Sequence, residues 1–241
     1  MKTRVYDVPT RLFHGMFAGS FLTAFVIANT VDDESLSFAY HMLAGLFMLF
    51  VVAWRLIWGL VGTRHARFSD FQFSPAGLAQ YLAGIVSGSK AKWAGHNPAS
   101  SWAALLMLGM AIGLGVTGIA MASGAGEAYE DLHELLANGL LFVVVLHVAG
   151  VVLHQLKHRD VMALSMLTGD KHDVDHTEPV VRSHTLLGVV LLLASFWFGT
   201  TLWQHFDRTT GQLQLFGVSL QLTDNEGAEH GERDHGERDD D

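Results

Sequence analysis

Three observations predict an all-α, integral membrane helix bundle. Mean hydropathy is +0.28. Half of the residues are hydrophobic and only 16% are charged, too few polar groups to coat a water-soluble surface. Five apolar spans, at approximately 12–31, 39–62, 101–123, 132–155 and 184–206, each approach the roughly 20 residues that cross a bilayer core. They are apolar nearly all round, whereas a helix on a soluble domain shows one apolar stripe. Finally, the connecting loops alternate in charge.

Lys2, Arg4 and Arg11 precede or open the first span, and Asp32, Asp33 and Glu34 follow it. Arg64, Arg67, Lys90 and Lys92 lie between the second and third spans, and Glu127, Glu130 and Asp131 between the third and fourth. Lys157, Arg159, Lys171 and Arg182 precede the fifth. Basic loops face the cytoplasm, so this pattern predicts a cytoplasmic N-terminus and a C-terminus outside. The apolar run after Arg11 is long and has no small-residue cleavage site, so a cleaved leader is not expected.

The first span is the first wall of the bundle, and the second follows after the acidic turn. The loop at 63–100 holds SPAGLAQYLAGIVSG, where Ser74 and Pro75 start a short helix. Leu78, Tyr81, Leu82 and Ile85 share one stripe of it, which suits an interfacial position. Asn97-Pro98 punctuates the entry to the third span. Beyond the fifth span, Leu213, Leu215, Val218, Leu220 and Leu222 alternate with polar residues around Gly217, which predicts a small hairpin. HGERD then occurs twice, at 230–234 and 235–239, in an acidic tail expected to be disordered, with weak chelation by His230 and His235 as an alternative.

There are no cysteines, which excludes disulfides, thiolate metal sites and thioether-attached haem. Fourteen histidines stand in their place. The fourth span carries His133, His147 and His154 at separations of 14 and 7, which return near one helix face. A polar edge inside hydrocarbon needs partners. His41, at the start of the second span, matches His133 in depth. His14 lies near the opposite membrane face, as do His147, about 21 Å along the helix from His133, and His154. Depth alone slightly favours His154 over His147. Two histidine pairs at two depths suit two non-covalent haems, each closed by two imidazoles, stacked as an electron path across the membrane. Hydrogen bonding within the bundle is the alternative use of any single one.

Glycines beside these histidines (Gly15, Gly19, Gly45, Gly139, Gly150) and on the third span (Gly109, Gly113, Gly115, Gly118) offer shallow surfaces for a flat macrocycle, or else ordinary helix packing. Arg55 lies 14 residues after His41, on nearly the same face. It can pair with a haem propionate or snorkel to headgroups. Arg11 is a weaker candidate for the propionate. His65, His96, His158, His172 and His176 show no metal spacing, and His184 and His205 cap the fifth span. No nucleotide loop, hydrolase triad, zincin motif or nucleic-acid signature is present.

VYDVPTRLFH ending at His14, HMLAGLFMLFVVAWRLIWGLVG from His41, HARFSDF from His65, GHNP at His96 and the MLTGDK that follows the fourth span form a combination. Over approximately residues 4–171 it resembles the bacterial cytochrome b561 and Ni,Fe-hydrogenase cytochrome b subunit family. The resemblance implies a four-helix haem core with two bis-histidine haem b groups. It places the ligands on His14, His41, His133 and His147, paired as His14 with His147 and His41 with His133, and so favours His147 over His154. The implied organisation is a haem domain at 1–171, a linker and fifth transmembrane helix at 172–206, and an external hairpin with an acidic tail at 207–241.

The expected function is a di-haem b electron carrier in the lipid bilayer, between the quinone pool and a periplasmic cytochrome c or haem protein. A subunit role in a quinone/quinol oxidoreductase stays open. The alternatives are the membrane anchor of a hydrogenase or formate dehydrogenase, and a histidine-rich metal transporter, which would need acids deep in the spans beside the histidines. No nucleic-acid partner is expected.

Overall fold

A computed structural model describes residues 2–87, 95–158, 162–172 and 180–223. Lys90, Lys92, Arg159, His176 and the tail at 224–241 lie outside the described residues. Five helices are long and apolar enough to cross a membrane. They are α1 (Val8–Thr30), α2 (Ala39–Val61), α4 (Pro98–Ala120), α5 (Glu130–His158) and α7 (Thr185–His205). Two shorter helices, α3 (Pro75–Ser87) and α6 (Met162–Thr168), join them. The chain is thus a multi-pass helical membrane protein. The end where α1 begins is called proximal below, and the other end distal.

Hydropathy places the first span at residue 12, but the helix starts at Val8 because Asp7 caps it. Asp7 accepts from the Thr10 amide at 2.7 Å, and Pro9 fits the first turn, where no amide donor is needed. Asn97 and Pro98 start α4 in the same way, with Asn97 Oδ1 accepting from the Ser100 amide at 2.8 Å. Asp7 does more than cap. It is fully buried and also accepts from Trp58 Nε1 at 3.1 Å and Thr63 Oγ1 at 2.5 Å. One carboxylate therefore ties the start of α1 to the end of α2.

The core is a four-helix arrangement. Phe17 and Phe21 of α1 meet Val51 and Val52 of α2, Leu108 and Ala111 of α4, and Leu140 of α5. α7 packs outside this core, against α1 and α2. Its distal half, through Phe198 and Leu202, shares a second cluster with Leu43 and Leu46 of α2. Strands β3 (Gln212–Leu215) and β4 (Val218–Gln221) complete that cluster through Leu213 and Leu220. They form an antiparallel hairpin whose turn residues, Phe216 and Gly217, have φ of 50° and 84°. Positive φ at both positions is the geometry that matches strand twist in a two-residue turn. Large apolar residues such as Phe142, Leu146 and Leu193 remain exposed. In hydrocarbon that exposure carries no penalty.

The proximal end is closed by chain segments far apart in sequence. Strand β1 (Lys2–Arg4) pairs antiparallel with β2 (Asp170–His172), and Arg4 faces Asp170 at 3.9 Å. The Val5 amide donates to Gly169 O at 2.8 Å and the Val8 amide to Ser183 O at 2.9 Å.

Replacing Asp7 by Ala removes a helix cap and leaves Trp58 Nε1 and Thr63 Oγ1 without their acceptor. It should destabilise the purified protein by about 2–4 kcal/mol. Thermal unfolding in detergent will show a clear fall in Tm for Asp7→Ala and a smaller one for Asp7→Asn, which keeps one acceptor. An unchanged Tm in Asp7→Ala would contradict the role given to this carboxylate.

Candidate functional site

At the distal end α2 and α5 bring two imidazoles together. The His41 and His133 ring centroids lie 6.1 Å apart, with the planes inclined at 68°. The state of each ring follows from its partner. His41 Nδ1 lies 2.9 Å from Ala24 O, and a carbonyl can only accept, so Nδ1 carries the proton. His133 Nδ1 lies 2.8 Å from Thr117 Oγ1. The Thr117 hydroxyl donates to Gly113 O at 2.9 Å, so its oxygen is left to accept from His133 Nδ1–H. Both rings therefore keep the Nε2 lone pair, the form in which imidazole binds a metal. Two metal–nitrogen bonds of about 2 Å, with the ring radii added, span a similar centroid separation.

The proximal end gathers His14, His147, His96, Arg55 and Arg11. His14 and His147 lie within electrostatic reach of each other, and His147 also reaches His96. His154 is half-buried on the same helix. Arg55 does not snorkel: it is 4% exposed, with its guanidinium 4.8 Å from the Phe68 ring. Arg55 Nη1, Arg11 Nε and His96 Nδ1 are all buried without a hydrogen-bond partner. Guanidinium nitrogens of Arg55 and Arg11 left over in this way suit an anionic group. Between the two levels the glycines divide. A Cβ on Gly113, Gly115 or Gly139 would press on Leu136, Leu49 or Met110, so these serve helix packing. A Cβ on Gly15, Gly19, Gly45 or Gly109 would meet nothing within 4 Å, so the surfaces beside His14 and His41 are shallow.

The family model for prokaryotic cytochrome b561 matches residues 5–169, which takes in α1 to α6 and all of these residues. The chain belongs to the prokaryotic cytochrome b561 family. Comparison with curated proteins and with solved structures finds no match.

The chain is therefore a membrane cytochrome b of electron transfer, and the family implies haem b. The residues present fit such a group. Among the described residues no cluster of three or more His, Asp or Glu could hold a bare ion. His41 and His133, each with its Nε2 left unprotonated, would be the residues to hold the iron of a haem at the distal end. The partnerless cationic nitrogens and shallow glycine surfaces suit its carboxylates and its flat faces.

His96 is the functional candidate that the sequence does not reveal. Its loop reads as a polar connection, but the ring packs 4.4 Å from Phe71 and 6.3 Å from Tyr6. Gly95 makes this possible, since a Cβ there would fall 2.5 Å from His65 Nδ1, which itself bonds Asp70 Oδ2 at 2.8 Å. The available signal was the Asn-Pro helix start, which fixes the residue before it at the mouth of α4. Burial, with the charges of Arg55, Lys171, His65 and His147 adding to it, pushes His96 down from 6.5 to about 3. Burial beside Asp70 pushes the Tyr6 phenol up.

His96 is thus neutral when folded, while the unfolded chain takes up its proton below pH 6.5. Its contribution to stability is complete above pH 6.5 and is lost as pH falls toward about 3. Melting measured from about pH 7 to about pH 4 should show wild type losing Tm more steeply than His96→Gln. Parallel pH profiles would refute a neutral buried His96.

Proposed function

We propose that this protein is a di-haem b electron carrier with its N-terminus in the cytoplasm and its C-terminus in the periplasm of a bacterial inner membrane. His41 and His133 would hold the distal haem, and His14 and His147 the proximal one. The observation that carries the proposal is the His41–His133 approach, with both rings fixed in the metal-binding tautomer. Haem b, when bound, supplies a one-electron couple. The protein would hold each haem through two histidines, His41 with His133 and His14 with His147, an arrangement suited to electron transfer. Ala24 O and Thr117 Oγ1 orient the distal imidazoles through their second nitrogens, and Arg55, aided by Arg11, would neutralise propionates at the proximal level.

The orientation rests on charge. Arg4, Arg11, Arg64, Arg67, Lys171 and Arg182 gather at the proximal end, while Asp32, Asp33, Glu34, Glu130, Asp131 and Asp207 lie at the distal end. Two haems at two depths would carry electrons between the quinone pool and a periplasmic cytochrome c or haem protein.

Pyridine haemochrome quantitation of the purified protein should give two haem b per chain. His41→Ala and His147→Ala should each leave one, and His154→Ala should leave two. One haem in wild type removes the di-haem assignment. Loss of a haem in His154→Ala, with retention in His147→Ala, transfers the proximal ligand to His154.

A further inference from the structure

The fifth helix lies outside the residues that the family accounts for. It nevertheless forms one wall of a groove of about 490 Å³ whose other wall is Phe47 of α2. Leu192, Phe196, Gly199 and Trp203 give the groove an apolar lining, with Thr200 and Ser195 as its hydroxyls. The Thr200 hydroxyl is spent on Trp197 O at 2.8 Å. Ser195 differs: it is 4% exposed and its Oγ has no hydrogen-bond partner. Most hydroxyls elsewhere in the spans bond a carbonyl three or four residues back, as Thr201 does to Trp197 O at 2.9 Å and Ser20 to Phe17 O at 3.1 Å, and the other partnerless one among the described residues, Thr10, sits in the first turn of α1 rather than at mid-span. A donor left over in hydrocarbon is costly unless a ligand satisfies it.

Depth selects the ligand. Ser195 stands ten residues from Thr185 and ten from His205, about 15 Å by helical rise from either end of α7. The ester and headgroup oxygens of a phospholipid lie at the interface, one leaflet away. A prenylated quinone differs, because its ring oxygens sit on an apolar tail and can reside at mid-membrane. Its flat ring also matches the walls. Phe47, Phe196 and Trp203 present aromatic surface for offset stacking. Gly199 keeps the floor low, since a Cβ there would approach only Phe47 Cε2, at 3.9 Å. Phe47 is six residues, about 9 Å, along α2 from His41.

We propose that the α2–α7 groove is a quinone-binding site, with Ser195 Oγ donating to a ring carbonyl. The inference rests on the quinone-linked reading above and adds its location. The test uses the haem-loaded full chain in lipid nanodiscs and a photoactivatable azido-ubiquinone analogue. Peptide mapping should place the label within residues 192–203 or at Phe47. Competition by a short-tailed ubiquinone should weaken about fivefold in Ser195→Ala, which removes one hydrogen bond. Gly199→Leu, which fills the groove from a lipid-facing helix, should abolish labelling, and both variants should keep the wild-type haem spectrum. Label elsewhere, or label and competition indifferent to both substitutions, overturns the site. Reduction of the haems by a short-tailed ubiquinol alongside that result leaves the quinone-linked reading standing. Neither labelling nor reduction removes both.

Discussion

Two imidazoles on different helices meet inside the bundle at 6.1 Å, and neither is free to choose its tautomer. A backbone carbonyl fixes one, and a threonine already committed to its own helix fixes the other. Hydrocarbon supplies no water to satisfy a stray nitrogen, so such a pair is stable only with a purpose for its two lone pairs. Much of the helix geometry follows from meeting this requirement. α2 and α5 must both start at the distal end, α4 must bring Thr117 beside α5, and α1 must offer Ala24 O to α2.

The proximal end meets a harder version of the same constraint. It buries an arginine and a neutral histidine close to the basic residues of that end, and it keeps solvent from them with segments drawn from both ends of the matched region. Asp7 anchors the start of α1 to α2, the β1–β2 pair covers the base, and Gly95 lets His96 settle between Phe71 and Tyr6. The cation–aromatic contacts of Arg55 with Phe13, Phe68 and Phe71 hold the guanidinium in place but leave Nη1 unspent. The distal end is built differently. There the hairpin and α7 cover α2 with aliphatic and aromatic packing, and Tyr40, Trp203 and Arg208 stack at what would be the headgroup level.

The number and order of the spans were legible because hydropathy and length alone decide them. The shared level of His41 and His133 was legible because helical rise converts residue number into depth. The start of α1 was not: Asp7 is polar and falls outside an apolar window, although it caps the helix, whereas Asn97-Pro98 announced the start of α4. The orienting partners Thr117 and Ala24 were hidden as well, since a threonine in a span and a backbone carbonyl carry no pattern of their own. His96 was hidden for a different reason. Its ring is enclosed by Phe71 and Tyr6, and Tyr6 lies 90 residues away in the chain, a contact that no local signal announces. The two uses of glycine, as packing surface and as shallow wall, become distinct only when the neighbouring side chains are in place.

Low-temperature electron paramagnetic resonance of the oxidised protein tests the paired-imidazole account most directly. Two low-spin ferric signals that integrate to about two spins per chain are expected, with conversion of one to high spin or its loss in His133→Ala. A wild-type spectrum dominated by high-spin iron, or a single low-spin centre unaffected by His133→Ala, would contradict it.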